Sequence, residues 1–502
     1  MKKIFEIMSE TLTESLDSTL SRSAKRKIKA AKKRKKLLVM AGILTATIGF
    51  GATGLATGLF ERIESNPANI FPENTTEFAA VSPSAITASN AAYAQKVISN
   101  IKTSPASDSA SSPAEWKYLN ELFSDTNQLL ELQKQYPEWL GYNYAKAKWG
   151  DGDNYGYAYS ITDKNKAAEF LQSENCKTVP LFAPYCGEGK SLFRKGWVIL
   201  APQDMIASYP AEDAPTLNDN EKFIAETKAY TGSNIISAWM PLKTASASLP
   251  KEFTDFSSQS GSLTAVVNNG NHGLQIKASI FDDDNKYVQA AKNASAVDAD
   301  ILKTMPANTV TGFAGSNTSA YTSIMRDNPS SFVNTHEDWK ALSDALAKWG
   351  IKTADDTAST LGSSTAFSIN EGTKGNKVAG TLTVKDANKD KIIQILAEAA
   401  KETKSIQTSY KVIDNGNGTI TIDSHDPIAD GDLKDKVNLQ NLLGDTKDSV
   451  MLAYINADKN RELLDSSFHA NPENALGEIG INVKKPEGNK TDVLANWAFP
   501  KA

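Results

Sequence analysis

The chain has 502 residues, 40% of them hydrophobic and 23% charged, which excludes a disordered polymer and allows two or three domains with cores of their own. The net charge of −5 conceals a split: residues 1–36 hold 12 basic against 4 acidic residues, and the remainder holds 42 against 55. A short basic arm on an acidic body has to be read separately from that body.

The arm begins with Ile4, Met8, Leu12, Leu16 and Leu20 at four-residue spacing, with Glu6, Glu10, Glu14 and Asp17 elsewhere. This is a narrow apolar stripe for a short helix, facing a cytoplasmic partner or the bilayer; an unstructured tail fits the same residues. A basic cluster follows, formed by Lys25, Arg26, Lys27, Lys29, Lys32, Lys33, Arg34, Lys35 and Lys36. It runs directly into "LLVMAGIL", and residues 37–60 then carry no charge. At a rise of about 1.5 Å per residue, such a run predicts a helix that crosses a hydrocarbon core of about 30 Å with some tilt.

Ten Lys and Arg between Arg22 and Lys36 face only Arg62 on the far flank, so the positive-inside bias predicts a cytoplasmic N-terminus and residues 61–502 outside the cytoplasm. The rival, a cleaved signal peptide, needs a shorter apolar core and a small-residue site just after it; "AYA" at 92–94 is over thirty residues away. The basic cluster lacks interleaved aromatics and abuts the span, which predicts contact with anionic lipid rather than nucleic acid. Within the span, Gly54 and Gly58 form a GxxxG, a weak signal for a helix dimer.

Beyond the span the chain is self-similar. "FPENTTEFA" at Phe71 matches "MPANTVTGFA" at Met305, and "EWKYLNELF" matches "DWKALSDAL" 223 residues later. Gly141 matches Gly362, Asp163 matches Asp386, Gly196 matches Gly418, and Leu217 matches Leu433. "IISAWM" then matches "VMLAYI", and two closing strand-like runs recur. Matches in one order at a nearly constant offset predict a duplication, with repeats at 61–304 and 305–502. Each repeat reads as α+β, an antiparallel or mixed sheet with helices on one face. Val378, Gly380, Leu382 and Val384 alternate as in a strand, and Asp163 and Asp386 are placed to cap helices. Asn415-Gly416 marks a hairpin. Trp116 with Leu119 and Leu122, and Trp339 with Leu342 and Leu346, read as helical core anchors. Residues 103–113, rich in Ser, Ala and Pro, read as a loop.

Cys176 and Cys186 stand ten positions apart in a segment of the first repeat that has no counterpart in the second. Outside the cytoplasm they predict a loop-closing disulfide; the alternative is two unrelated thiols.

The order "FPENTTEFAAV", "WLG", "ITDKNKAAEFL", "PTLNDNEKF", "ISAWMPL" resembles a family of uncharacterised bacterial single-pass membrane proteins, over roughly residues 61–460. The resemblance implies a basic tail, one anchor helix and a large extracytoplasmic domain in the cell envelope. It brings no catalytic residues.

Motifs for chemistry are incomplete. "CGEGKS" at 186–191 ends like a phosphate loop, but the position of its first glycine is Pro184. The calcium-like starts at Asp151 and Asp386 have Thr162 and Ala397 where a glutamate belongs. "FDDDN" at 281–285 reads as a solvated acidic turn, with a loose calcium site as the alternative. His272, His336, His425 and His469 are scattered, and no nucleophile elbow is present. The expectation is a non-catalytic envelope protein that uses no cofactor or metal and binds a protein, glycan or lipid partner. The alternatives are a carrier or sensor of an apolar ligand held between the repeats and, behind it, a wall-acting hydrolase.

Overall fold

A computed structural model describes residues 66–82, 132–150, 154–230, 234–247, 261–270, 273–282, 291–316, 362–371, 378–402, 410–424, 431–464 and 475–499, except 293, 417 and 476, with isolated positions between 347 and 360. The basic arm, the 37–60 run with Gly54 and Gly58, Trp116 and Trp339 with their leucine partners, the 103–113 segment and all four histidines lie outside these residues.

The described residues form two units, divided between Phe281 and Asp282. The first contains β1 (Thr75–Val81), β2 (Leu140–Trp149), β3 (Gly156–Ile161), α1 (Lys164–Gln172), α2 (Glu174–Thr178), β4 (Ser191–Arg194), β5 (Trp197–Leu200), α3 (Gln203–Ala207), α4 (Glu221–Thr227), β6 (Ile236–Pro241), α5 (Leu242–Ala247), β7 (Ser262–Gly270) and β8 (Gly273–Phe281). Its strands lie in the order β8-β7-β6-β1-β2-β3-β5-β4, every neighbouring pair antiparallel.

The second contains α6 (Asp300–Lys303), β9 (Thr309–Ser316), β10 (Ser364–Glu371), β11 (Val378–Lys385), α7 (Lys389–Glu402), β12 (Tyr410–Asp414), β13 (Thr419–Ser424), α8 (Leu439–Leu443), β14 (Ser449–Asn456), α9 (Ala457–Leu464), β15 (Glu478–Lys484) and β16 (Lys490–Ala498). Its order is β16-β15-β14-β9-β10-β11-β13-β12, again antiparallel throughout. Position for position, this is the topology of the first unit. The protein is α+β, and the sheets are antiparallel rather than mixed.

The boundary expected between residues 304 and 305 falls inside the second core. Val297, Ile301 and Leu302 are buried there with Met305, Leu433 and Tyr454. The same lead-in opens each unit. The Leu217 amide donates to the Phe71 carbonyl at 2.8 Å, and the Leu433 amide donates to the Met305 carbonyl at 2.6 Å. Both leucines are fully buried at the start of a 3-10 turn, and capping boxes hold those turns, Thr216 with Asp219 and Asp432 with Asp435.

Helices cover both faces of each sheet, not one. Ala158 of β3 is buried with Met205 of α3 and Phe223 of α4. The next residue, Tyr159, points to the opposite face and meets Phe182, which also meets Phe170 of α1. In the second unit Ile392 of α7 packs on Val384 and Ile420, whereas α6 and α8 pack on Ala366 and Tyr454. Successive residues of the central strands are buried, as in the β10 run from Ala366 to Asn370. Such strands need cover on both sides.

Local signals were read with one exception and one adjustment. Asp163 caps α1, accepting from the amides of Asn165 at 2.9 Å and Lys166 at 3.1 Å. Asp386 does not cap α7. It sits past the end of β11 with φ +55° and accepts from Ser363 Oγ. Strand register makes Asn388 the counterpart of Asp163, and Asn388 Oδ1 accepts from the Lys391 amide at 3.0 Å. The Asn415 hairpin is present, but the left-handed positions are Gly416 and Gly418. In the first unit the two-residue turn Lys195-Gly196 has positive φ at both positions.

Gly480 lies under α8: a Cβ there would stand 2.5 Å from the Leu442 carbonyl oxygen. Gly480→Ala is expected to lower the unfolding free energy by about 1–3 kcal/mol, measured by chemical denaturation; an unchanged midpoint would show that the helix shifts freely.

Candidate functional site

Because the two sheets share register, each strand position in one has a partner in the other. β1 pairs Phe78 with Trp239 and Ala147, and β9 pairs Gly312 with Tyr454 and Ser368. Alternation then sorts the side chains of each sheet into two faces. One face of the first unit carries Ala145, Ala147, Trp149, Ala158, Trp197 and Ile199, all in one apolar cluster with Phe78 and Trp239. The equivalent positions of the second unit are Ala366, Ser368, Asn370, Thr383, Thr419 and Thr421. Gly156 corresponds to Thr381, and the position of Ala201 corresponds to Asp423.

The opposite faces show the reverse exchange. Lys146, Lys148, Tyr157 and Tyr159 in the first unit correspond to Phe367, Ile369, Leu382 and Val384 in the second. In β10, β11 and β13 polar and apolar residues thus change faces while the topology is retained; on the face of Ser368, Ala366, Ala314, Leu452 and Tyr454 still form an apolar cluster.

In the second unit the polar residues form a ladder across four strands. Thr309 Oγ1 lies 2.7 Å from the Pro306 carbonyl and 3.0 Å from Asn370 Oδ1. Asn370 Nδ2 donates to Thr381 Oγ1 at 2.9 Å, and Thr381 donates to Asp423 Oδ1 at 3.0 Å. Thr383 and Thr421 share a hydrogen bond of 3.2 Å, and Asn415 Nδ2 donates to Thr421 Oγ1 at 2.9 Å. Asn370 is fully buried and Asp423 is 8% exposed. Ser368, directly across from Thr381, is 0% exposed, and its hydroxyl has no hydrogen-bond partner among the described residues. Beyond one end of this face, Lys385 is ion-paired with Asp298.

The first unit has a smaller polar cluster on its other face. Glu77 accepts from Tyr155 Oη at 2.6 Å and Thr244 Oγ1 at 2.9 Å, with Lys148 Nζ at 4.0 Å. Lys146 Nζ stands 4.0 Å from the centre of the Tyr155 ring, in cation–π geometry.

A further pair recurs in both units. The indole of Trp239 donates to Glu226 of α4 at 2.6 Å. At the equivalent place the Tyr454 hydroxyl donates to Glu478 Oε1 of β15 at 2.8 Å. Burial pushes the Glu478 carboxyl above the usual carboxylate range and nearby Asp458 adds to the rise, against the Tyr454 hydrogen bond, which opposes it. Burial, reinforced by Glu478, also raises the Tyr454 phenol far above its ordinary value.

Of the residues singled out in the sequence, Cys176 and Cys186 are brought together: they form a disulfide with Cα atoms 5.9 Å apart. It closes the segment after α1, where Trp139, Phe170 and Phe182 meet in tilted and edge-on contacts. Lys190, the lysine of "CGEGKS", donates to the Pro184 carbonyl across that closed segment. Among the described residues no group of three or more His, Cys, Asp and Glu is placed to hold a metal ion. The nine basic residues from Lys25 to Lys36, and Gly54 and Gly58, lie outside the described residues. Sequence reading missed the threonine ladder altogether; the signal it left was a strand pair, "GTLTV" and "TITID", with polar residues where the first repeat has "YGYAY" and "GWVILA". No family model, curated protein or solved structure matches the chain.

The raised Glu478 carboxyl gives a signed pH dependence. Its folded pKa lies above its unfolded value, so the native state holds the proton more tightly. Stability is therefore expected to fall as pH rises from the unfolded glutamate value, near 4.3, through the raised folded pKa. Glu478→Gln should flatten that part of the stability–pH curve, measured by denaturation at stepped pH; a slope identical to the parent's would rule out Glu478 as its source.

Proposed function

We infer that the chain is a single-pass membrane protein of the bacterial cell envelope, with its N-terminus cytoplasmic and residues 61–502 outside. Its body consists of two homologous copies with a non-catalytic binding role. The observation that carries the location is the bond between Cys176 and Cys186, because such bonds persist in oxidising compartments and are rare in the cytoplasm. It agrees with the positive-inside bias around residues 37–60. Among the described residues no helix is long and apolar enough to cross a membrane, so anchoring rests on that run. The basic cluster lies on anionic lipid, and Gly54 and Gly58 offer a close-contact stripe for a dimer.

Common descent of the copies is supported by identical strand order, by the bulge at the same place in β1 and β9, and by the repeated leucine-to-lead-in hydrogen bond. The units differ in the chemistry of covered sheet faces, which leaves the shared strand order unchanged. The likeness to uncharacterised single-pass envelope proteins agrees with the envelope location, and a binding role is the reading that an anchored body of two such units suggests.

Protease added to intact cells is expected to digest residues 61–502; protection in cells whose outer face is accessible would reverse the orientation. In the denatured chain neither cysteine should take a maleimide without reductant, and both should after reduction. Cys176→Ser is expected to cost about 2–3 kcal/mol of stability through loss of the short loop closure, read from the denaturation midpoint of the purified chain.

A further inference from the structure

The bond between Cys176 and Cys186 has two unlike ends. Cys176 lies in α2 with none of its surface exposed, whereas Cys186 is partly exposed. Beyond Cys186, residues Gly187, Glu188 and Gly189 are exposed, and a Cβ placed on Gly187 would meet nothing within 4 Å. The folded surface thus offers a reagent Cys186, and Cys176 is reached only through local opening.

We propose that Cys186 is the thiol–disulfide exchange site of this protein: a disulfide-bearing oxidant engages Cys186 first, and Cys176 resolves the mixed disulfide from inside the fold. Where that encounter takes place rests on the extracytoplasmic reading of the body; which sulfur is engaged does not.

The fold prepares the second step. Phe182 is fully buried, and its ring meets Trp139, Tyr159 and Phe170 at 5.9, 5.3 and 5.8 Å. Backbone hydrogen bonds shape the rest of the segment without help from the sulfurs. The Val179 amide donates to the Cys176 carbonyl at 3.1 Å, Phe182 to Val179 at 3.0 Å, Tyr185 to Phe182 at 2.8 Å, and Gly187 to Leu171 at 3.0 Å. The Phe182 carbonyl oxygen stands 3.3 Å from Cys186 Sγ and 3.9 Å from Cys176 Sγ. In the reduced chain both thiols face that one acceptor, which gathers them before a bond exists. Resolution is then intramolecular between pre-positioned groups, which raises the effective concentration of the attacking thiol by orders of magnitude.

The exchange balances. The Cys186 thiolate attacks one sulfur of the oxidant, forming a protein–oxidant S–S bond and expelling the oxidant's other half as a thiolate. The Cys176 thiolate then attacks Cys186 Sγ, closing the bond between the two cysteines and expelling the second half. Two electrons pass from the protein to the oxidant, and the two thiol protons end on the two expelled thiolates. With two cysteines in the chain only one intramolecular pairing exists, so the reaction is an oxidation without isomerisation. The reverse order would need the buried Cys176 thiol to ionise toward an outside reagent, which burial opposes.

The test uses the full purified chain in detergent micelles, reduced and freed of reductant, with oxidised glutathione as the probe and peptide mass mapping after acid quench as the readout. In folded Cys176→Ser, Cys186 is expected to take up glutathione at least about tenfold faster than Cys176 does in folded Cys186→Ser, a difference that urea should abolish. In the chain with both cysteines the mixed disulfide should close without accumulating, and Phe182→Ala should let it accumulate on Cys186. If Phe182→Ala does not fold, the two single-cysteine variants decide alone. Equal uptake at the two cysteines under native conditions, faster uptake at Cys176, or a reduced chain without a folded state would each overturn the proposal. So would a folded Phe182→Ala variant that closes as fast as the parent. Glutathione uptake by the purified chain is independent of topology in the cell, so failure here is separable from failure of the location reading, which protease accessibility decides.

Discussion

Successive side chains of a β-strand leave on opposite faces, and in both units that alternation is anchored by one hydrogen-bonded strand near the middle of the sheet. β1 pairs with β2 on one side and β6 on the other, and β9 pairs with β10 and β14 in the same way. A slip of one residue in either central strand would turn every neighbouring side chain over. The lead-in contact prevents it: the buried leucine of the 3-10 turn donates its amide to the residue before the proline, just ahead of the central strand. The isolated bridges Pro72–Thr216 and Pro306–Asp432 extend the same clamp.

With register held this firmly, face chemistry can change without changing topology. In the first unit Trp149 lies across Gly156, and the tryptophans and alanines of that face close an apolar layer under α3 and α4. In the second, threonine, serine and asparagine occupy the corresponding positions of β10, β11 and β13, while Ala366, Leu452 and Tyr454 keep an apolar cluster on that same face under α6 and α8. A further aliphatic cluster lies on the opposite face under α7. Both units bury apolar residues on both faces, which is what hydrophobic stabilisation of a doubly covered sheet demands, and they differ in where along each face polar residues are admitted.

Several elements were legible in the chain because their causes are local. The capping role of Asp163, the Asn415 hairpin, the alternation of β11 and the repeat of "FPEN" by "MPAN" all follow from neighbours a few residues apart. The misreading of Asp386 has a local cause too. Alignment by letters matched the two aspartates, whereas strand register matches Asp163 with Asn388, and only hydrogen bonding across the sheet reveals that register. The boundary set at residue 304 failed for a related reason: Val297, Ile301 and Leu302 belong to the core of the unit that follows them, and burial is a property of the assembled fold. Helices on one face were expected because alternation is easy to see. The nearly continuous burial of β10 and β14 is not, since small and polar residues carry part of it.

By itself the sequence determined the split of charge, the uncharged run behind the basic arm, the tandem self-similarity and the spacing of the two cysteines, because each is a matter of composition or of separation along the chain. Tertiary structure alone decided that the sheets are covered on both faces, that Cys176 meets Cys186, and that Thr309, Asn370, Thr381 and Asp423 form one ladder. Those four residues come from four strands spread over more than a hundred positions, and only antiparallel pairing brings them within hydrogen-bond reach.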